Sequence, residues 1–242
     1  MEYKEIMENS YYHDNTGMLL KGDCFEVMRN FPDNFINMIV TSPPYNKQAV
    51  GGQLVKKIKY NGNLDTMSED KYQKWQIEVL NECYRISDSL FYNHKIRYQN
   101  KIGIHPMKWI LKTNWILHQE IIWNRKITGN IRGWRCWNID ERIYWLIKKH
   151  PPEISQELAQ LTSVWEIRPE MKSNHPAPFP LEIAERCIKI GSKKGDIVLD
   201  PFIGSGTTAI ACKNLKRRWI GIEKELEYCN MSVDRIKNNI KD

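Results

Sequence analysis

Two short segments of the chain combine residue types that could hold a ligand and a reacting group. The first, Thr41-Ser42-Pro43-Pro44-Tyr45-Asn46, ends the apolar run from Ile36 to Thr41. Its prolines fix the backbone and carry no N–H donor, so the Ser42 hydroxyl and the Pro43 carbonyl are available as acceptors. Such acceptors suit an amino group, which offers two N–H donors, and Tyr45 could stack on a ring. Considered alone, the segment is also explained as a strand that ends at prolines beside an incidental tyrosine.

The second segment, Asp200-Pro-Phe-Ile-Gly-Ser-Gly-Thr-Thr208, lies between an apolar strand and a helix. Glycines let the backbone turn tightly and approach a ligand, and the following helix presents free N–H groups. Glu223 comes at the end of the next strand, where a carboxylate can accept hydrogen bonds from both hydroxyls of a ribose. The arrangement fits an adenosine-containing cofactor, and a glycine turn without a ligand is the alternative.

The same glycines match the dinucleotide fingerprint, as Gly204-x-Gly206-x-x-Ala209, which keeps a nicotinamide-dependent oxidoreductase open. Only 36 residues follow Gly206. A second nucleotide-binding half would need more chain than that, so the position of the glycines argues against an oxidoreductase.

Alternating strand-like and helix-like segments place both motifs at strand ends. After Pro180 the pattern predicts a helix, the strand Ile197 to Leu199, the glycine turn, a helix, the strand Trp219 to Ile222 and a last helix. This βαβ order predicts a mostly parallel sheet. Earlier in the chain the same reading gives a helix at Cys24 to Phe31, a strand at Ile36 to Thr41, a helix at Ser68 to Ile86, a strand at Ser89 to Asn93, and an antiparallel pair, Trp115 to Trp123 and Arg142 to Ile147, that brackets a basic loop.

Length and composition predict one globular domain, with 242 residues, 41% hydrophobic and 27% charged. The six cysteines are scattered singly, which predicts reduced, mostly buried thiols and no zinc or redox motif. No apolar stretch approaches the roughly 20 residues of a membrane helix, and the first ten residues are too polar for a secretory signal. We therefore expect a cytoplasmic protein without a membrane partner.

Positive charge is concentrated in one part of the chain. The net charge is +7, but residues 46–149 alone contain 19 lysines and arginines against nine acidic residues, together with seven of the nine tryptophans. Basic residues interleaved with aromatics suit a surface that neutralises phosphates and stacks on bases. A lysine-rich surface over an aromatic core is the alternative.

Three segments in this order resemble the amino-methylating DNA methyltransferases of bacterial restriction–modification systems: Thr41 to Asn46, His175-Pro-Ala-Pro-Phe-Pro180, and Asp200 to Thr208. The catalytic motif comes first in this chain and the cofactor turn comes last. This order is similar to the β arrangement of that family, which is a circular permutation of the common methyltransferase order. The resemblance extends from Gly22-Asp23 to Glu223. It implies an α/β, Rossmann-like fold that depends on S-adenosylmethionine, with a mostly parallel sheet, one antiparallel strand and helices on both faces.

The resemblance also implies a layout and a set of site residues. A single domain, 1–242, would comprise a catalytic segment at 17–150, a small target-recognition insertion at about 127–171 and a cofactor-binding segment at 173–242. The catalytic residues implied are Ser42, Pro43, Pro44 and Tyr45. The cofactor-binding residues implied are Asp23, Thr41, His175, Asp200, Phe202, Gly204, Ser205, Gly206, Thr207 and Glu223. Asp23 would lie near the adenine amino group and Glu223 at the ribose, and no metal is implied.

The reaction implied is direct transfer of the methyl group from the sulfonium to the exocyclic amino nitrogen of a flipped base. A C5-cytosine methyltransferase would need a nucleophilic cysteine, and Ser42 to Tyr45 contains none. Ser-Pro-Pro-Tyr is commoner in enzymes that act on N4 of cytosine, and Phe179 stands where adenine-specific relatives often have lysine, so we favour cytosine over N6 of adenine. An RNA or protein amide methyltransferase and a catalytically silent DNA-binding relative are more remote alternatives.

Double-stranded DNA is the partner that the basic stretch and the resemblance predict together. The candidate DNA contacts are Lys56, Lys57, Lys59, Arg125, Arg132, Trp134 and Arg135, with Trp137 as a further base contact. The resemblance leaves open a cognate restriction endonuclease and a homodimer.

Overall fold

A computed structural model describes residues 3–46, 67–127, 132–169 and 180–238. Within them the chain forms helices α1 (Tyr3–Glu8), α2 (Cys24–Met28), α3 (Glu69–Ile86), α4 (Met107–Ile110), α5 (Gln156–Ala159), α6 (Leu181–Gly191), α7 (Thr207–Asn214) and α8 (Leu226–Asn238). The strands are β1 (Tyr12–His13), β2 (Gly17–Lys21), β3 (Met38–Thr41), β4 (Ser89–His94), β5 (Arg97–Gln99), β6 (Ile102–Ile104), β7 (Ile116–Asn124), β8 (Asp140–Ile147), β9 (Val164–Glu166), β10 (Ile197–Asp200) and β11 (Arg218–Glu223).

Nine of these strands form one sheet in the order β1-β2-β11-β10-β3-β4-β8-β7-β9. The strands from β2 to β4 are all parallel, so their carboxyl ends meet at one edge. β8 runs antiparallel to both β4 and β7, which places the start of β8 at that same edge. In open α/β sheets ligands bind at this edge, and the motifs predicted from the sequence lie there.

The side chains of alternate residues in the central strands pack into two hydrophobic cores, one on each face of the sheet. Ile39 and Leu199 pack with α2, α3 and α4 on one face. Val40 and Val198 pack with α6, α7 and α8 on the other. Because both faces are covered, the strand interiors are continuously apolar, which explains why they were readable as short buried runs.

The predicted elements near the motifs are confirmed, with small shifts at their ends. The antiparallel pair is β7 and β8, and β8 is the expected antiparallel strand; the two-residue edge strand β1 is a second one. The span 127–171, interpreted as a recognition insertion, contains β8, whose eight residues lie in the central sheet beside β4. Among the described residues of that span, those outside the sheet are 127, the basic loop at 132–139, the segment at 148–163, and 167–169.

The hairpin β5–β6 was not predicted. Its turn places Asn100 and Lys101 at φ values of 50° and 64°, a conformation that Asn-Gly usually supplies. Without a glycine at this turn, the sequence carries no hairpin signal.

The six cysteines are free thiols and five of them are buried, which confirms the prediction of mostly buried thiols; Cys136 is exposed. Among the helices that the structure describes, none is long and apolar enough to cross a membrane.

Candidate active site

The turn between β10 and α7 requires glycine. Gly204 and Gly206 have φ values of 51° and 83°, in the left-handed region that disfavours other residues. A Cβ built on Gly206 would lie 2.6 Å from the Ser232 Oγ of α8. The turn is therefore a tight backbone cradle at the start of a helix, which fits a ligand that approaches backbone N–H groups.

Glu223 is oriented by the backbone around it. Its Oε2 accepts a hydrogen bond from the Gly204 N–H (3.1 Å), and its Oε1 accepts from the N–H groups of Lys224 (2.8 Å) and Glu225 (2.9 Å). Burial nevertheless raises the pKa of this carboxyl group. Three of its roughly four lone-pair sites are used, and the remaining one is on Oε2.

Asp23 and Phe202 flank the glycine turn. Asp23 follows β2, accepts from the Phe25 N–H as the N-cap of α2, and lies 3.3 Å from the Lys224 Nζ. The ends of β2 and β11 are joined by a hydrogen bond from the Gly22 N–H to the Glu223 carbonyl (2.9 Å). Phe202 packs its ring edge-on against Trp75 of α3, 5.6 Å between centroids. Carboxylates and an aromatic wall around a glycine cradle fit an adenosine group.

Asp200 ties the two motifs together. Its Oδ1 accepts from the Thr41 hydroxyl (2.9 Å) and the Phe202 N–H (3.1 Å), and its Oδ2 accepts from the Thr208 hydroxyl (2.6 Å). Because Thr41 ends β3 and Asp200 ends β10, these bonds fix the catalytic segment against the cofactor turn. Thr41 and Asp200 therefore position the turn in this structure, and cofactor binding by these two residues stays a prediction.

Ser205 and Thr207 are buried and held from α8. Arg235 Nη1 donates to the Ser205 carbonyl (2.8 Å), the Ser205 Oγ (2.6 Å) and the Thr207 Oγ1 (3.2 Å). The guanidinium group thus closes the back of the turn, so both residues stabilise its shape.

The buried Asp200 carboxyl predicts a pH dependence of stability. Burial raises its pKa from 3.8 to about 6, against three hydrogen bonds that lower it. Because the pKa of Asp200 is higher in the folded than in the unfolded state, the protonated carboxyl group contributes to stability. That contribution is complete below pH 3.8 and is lost as the pH rises through about 6. We expect the unfolding temperature of Asp200→Asn, relative to wild type, to increase between about pH 4 and about pH 7, because asparagine does not ionise. Thermal unfolding across that range checks it; a constant difference would contradict it.

The Ser42 hydroxyl belongs to a polar cluster at the end of β3. Its Oγ lies 2.9 Å from the Tyr45 hydroxyl and accepts from the Asn93 Nδ2 at 3.2 Å. The Tyr45 hydroxyl donates to the Glu141 Oε2 (3.0 Å), and Asn93 Nδ2 donates to Tyr45 (2.7 Å) and Glu141 (3.1 Å). Arg125 Nη1 donates to the other Glu141 oxygen at 3.2 Å. Four strand ends thus converge on one serine.

A second layer supports this cluster. The Tyr72 hydroxyl of α3 donates to the Pro44 carbonyl (2.7 Å) and lies 2.8 Å from the His94 Nε2. Burial lowers the pKa of His94 well below its usual range. The Tyr45 ring is 4.6 Å from the His94 ring and only 9% exposed. Its position is thus fixed from both sides, and most of the ring faces protein.

Sequence reasoning missed Asn93, Glu141, Tyr72 and His94. A signal was present for two of them, since Asn93 and His94 are polar residues at the carboxyl end of an apolar strand, beside the strand that carries Ser42. No local signal pointed to Glu141, because its position depends on the pairing of β8 with β4.

The candidate DNA contacts divide into two groups. Arg125 reaches into the Ser42 cluster through its ion pair with Glu141. Arg132, Trp134 and Trp137 are exposed, the tryptophans at 39% and 60%. Arg135 lies over the rings of Tyr98 (4.7 Å) and Trp134 (5.5 Å). The basic loop and the β5–β6 hairpin therefore form one aromatic and basic surface.

Five residues singled out from the sequence lie outside the described residues: Lys56, Lys57, Lys59, His175 and Phe179.

In the part of the chain that the structure describes, no group of three or more histidine, cysteine or acidic side chains could hold a metal ion.

Comparison with solved structures identifies the fold. The PvuII DNA methyltransferase, named as cytosine-N4-specific, superposes with a TM-score of 0.78 at 19% identity, over 96% of this chain and 93% of that one. A Thermus thermophilus protein described as a DNA modification methylase, solved in complex with S-adenosyl-L-methionine, superposes with a TM-score of 0.67 at 25% identity, over 92% and 95% of the two chains. The fold is the Rossmann-like fold of S-adenosylmethionine-dependent methyltransferases.

Comparison with known sequences gives the family. The Type II methyltransferase M.HinfI of Haemophilus influenzae is 31% identical over 93% of this chain and 69% of its own length. M.HpaI of Haemophilus parainfluenzae is 29% identical over 90% and 73%. The DNA methylase family that acts on N6 and N4 amino groups matches residues 36–234. Because this match covers residues 36–234 and M.HinfI is 31% identical over 93% of the chain, the chain belongs to the N6-adenine and N4-cytosine DNA methylase family.

Proposed function

We propose that the protein transfers the methyl group of S-adenosylmethionine to N4 of a flipped cytosine in double-stranded DNA, with N6 of adenine as the alternative target. The cofactor supplies an electrophilic methyl group when it is bound. Gly204, Gly206, Glu223 and Asp23 would hold its adenosine part, and His175 and Phe202 complete the proposed cofactor site.

The observation that carries the proposal is the junction of β3 and β10. The Thr41 hydroxyl binds Asp200 at 2.9 Å, so the Ser42 cluster and the glycine turn share one edge of the sheet. Ser42 and the Pro43 carbonyl offer acceptors for the two N–H donors of an amino group, which directs its nitrogen lone pair toward the cofactor side. Transfer is then direct, and its rate comes from positioning rather than from a covalent intermediate.

Three observations support cytosine over adenine. The Ser42-Pro-Pro-Tyr45 motif has serine rather than aspartate at its first position, and Phe179 stands where adenine-specific relatives often have lysine. A protein whose name says cytosine-N4-specific also has a similar fold. The Type II names of the relatives support a restriction endonuclease that recognises the same site as a partner, and a homodimer is the second partner proposed.

The test is incubation with S-adenosylmethionine and unmethylated plasmid DNA, followed by digestion to nucleosides and mass spectrometry. N4-methylcytosine is the expected product. Detection of N6-methyladenine would change the proposed target base to adenine and would leave the proposed reaction unchanged. The absence of both, with the cofactor bound, would overturn the proposal and point to RNA, a protein amide or a silent DNA-binding relative.

The exposed basic loop is proposed to contact DNA phosphates. We expect Arg132→Glu to weaken DNA binding and to reduce the slope of log affinity against log salt by about one or more. The matched control is Lys194→Glu, an exposed residue before β10, at the opposite edge of the sheet. Binding titrations at several salt concentrations check this. Equal slopes for wild type, Arg132→Glu and Arg132→Glu/Arg135→Glu would remove the loop from the DNA interface.

A further inference from the structure

Glu141 ends a chain of hydrogen bonds that begins at the Ser42 hydroxyl. It is the second residue of β8, just past the end of β4, and only 7% exposed. One carboxylate oxygen receives the Tyr45 hydroxyl, and the other receives Arg125. This buried carboxylate is paired with Arg125 and lies one tyrosine away from the hydroxyl that is proposed to hold the target amino group.

The direction of the hydrogen bonds follows from the charge of Glu141. A carboxylate only accepts, so the Tyr45 hydroxyl must donate to it, as the geometry at 3.0 Å indicates. Tyr45 then has no hydrogen left for Ser42, and at 2.9 Å the Ser42 hydroxyl must donate to Tyr45. The hydrogen of Ser42 therefore points toward Tyr45, and its oxygen keeps a lone pair.

Asn93 reinforces the same order. Its Nδ2 atom is within hydrogen-bond distance of Ser42, Tyr45 and Glu141, and an amide nitrogen can only donate. Ser42, Tyr45 and the Asn93 amide supply four hydrogens for five contacts, so the amide is shared among three acceptors. Donation from Ser42 to Tyr45 to Glu141 gives the buried Oε2 of Glu141 two donors, Tyr45 and Asn93. The reverse order would place a hydroxyl hydrogen of Tyr45 against Ser42 and leave the buried carboxylate oxygen with Asn93 alone.

We propose that Glu141 is a positioning residue that sets the direction of the Ser42–Tyr45 hydrogen bonds, so that Ser42 offers an acceptor to the amino group of the target base. The inference rests on the proposed function. It extends to selectivity between bases: an acceptor at Ser42 favours cytosine or adenine, whose target group donates, over uracil or hypoxanthine, which carry a carbonyl oxygen at the same place.

Glu141→Gln is an isosteric test of this order. Arg125 requires an acceptor, so the glutamine oxygen should turn toward it and the NH2 group toward Tyr45. Tyr45 must then donate to Ser42, and the Ser42 hydrogen turns toward the base. We expect kcat to fall about 100-fold with little change in S-adenosylmethionine affinity. The matched control is Glu120→Gln, which alters another carboxylate–arginine pair between β7 and β8, that of Glu120 with Arg142.

A DNA-binding measurement distinguishes a reversed Ser42–Tyr45 hydrogen bond from a simple loss of packing at Glu141. The measurement compares two DNA duplexes with S-adenosylhomocysteine present: one has the amino base, cytosine or adenine, at the target position, and the other has the corresponding keto base, uracil or hypoxanthine. Wild type should bind the duplex with the amino base more tightly. In Glu141→Gln that preference should shrink at least about tenfold, because a Ser42 donor suits a carbonyl oxygen. Adding Arg125→Met to Glu141→Gln frees the amide to turn over, and part of the lost preference and kcat should return.

The outcomes keep this inference apart from the proposed function. If wild type methylates neither base, the proposed function fails. If wild type methylates DNA, but Glu141→Gln keeps both its kcat and its preference for the amino base, the positioning role is overturned. A lower kcat with unchanged preference, and no recovery on adding Arg125→Met, would also overturn it, since it would reduce Glu141 to a packing role.

Discussion

Gly206→Val is expected to lower the affinity for S-adenosylmethionine about 100-fold. Gly206 has a φ of 83°, and a Cβ there would lie 2.6 Å from the Ser232 Oγ and 3.4 Å from its Cα. A β-branched residue is strained at positive φ, so the turn must move away from α8. That movement displaces Gly204, whose N–H binds Glu223, and disorganises the whole cradle. Calorimetric titration with the cofactor measures the effect, and Gly206→Ala should give a smaller loss of the same kind.

Gly195→Val is the matched control for backbone strain. Gly195 has a φ of 86°, nearly that of Gly206, but nothing lies within 4 Å of a Cβ built on it. It lies before β10, at the sheet edge opposite the site. Gly195→Val should therefore lose stability to a similar strain and keep its cofactor affinity. Equal affinities in Gly206→Val and wild type would contradict the placement of the cofactor at this turn.

Ser42→Ala is expected to lower kcat by about 10² to 10³ with unchanged cofactor affinity. The variant removes the acceptor proposed for the target amino group and leaves the Tyr45 hydroxyl and Asn93 without one of their partners. The glycine turn is unaffected, since Thr41 and not Ser42 bonds to Asp200. Single-turnover methylation of DNA, together with cofactor titration, separates the two effects.

Ser192→Ala is a suitable control because Ser192 is also partly buried and hydrogen-bonded. Its hydroxyl donates to the Ile188 carbonyl at 2.6 Å, at the end of α6. Loss of that bond should affect stability alone. If Ser42→Ala methylates DNA at the wild-type rate, the amino group is not held by this hydroxyl and the proposed mechanism is wrong.

The sequence by itself determined the parts of this protein that depend on near neighbours. The glycine turn, the strand before it, the helix after it and the proline-terminated catalytic segment are coded by periodicity and turn chemistry over fewer than about 15 residues. Because parallel strands end at one edge, the meeting of Ser42 with Gly204 and Glu223 could also be predicted. The β5–β6 hairpin could not, since Asn100 and Lys101 adopt a turn that their types only weakly favour.

The tertiary structure alone decided which side chains surround Ser42. Glu141 is 96 positions from Tyr45 and Asn93 is 51 from Ser42, and no local signal marks Glu141. Their meeting depends on the register of β8 against β4, in which His94 pairs with Arg142. A shift of one residue would turn Glu141 to the other face of the sheet. The pairing of β7 with β8 places Arg125, a predicted DNA contact, beside Glu141. Such long-range strand pairing is set by the packing of both cores rather than by local sequence.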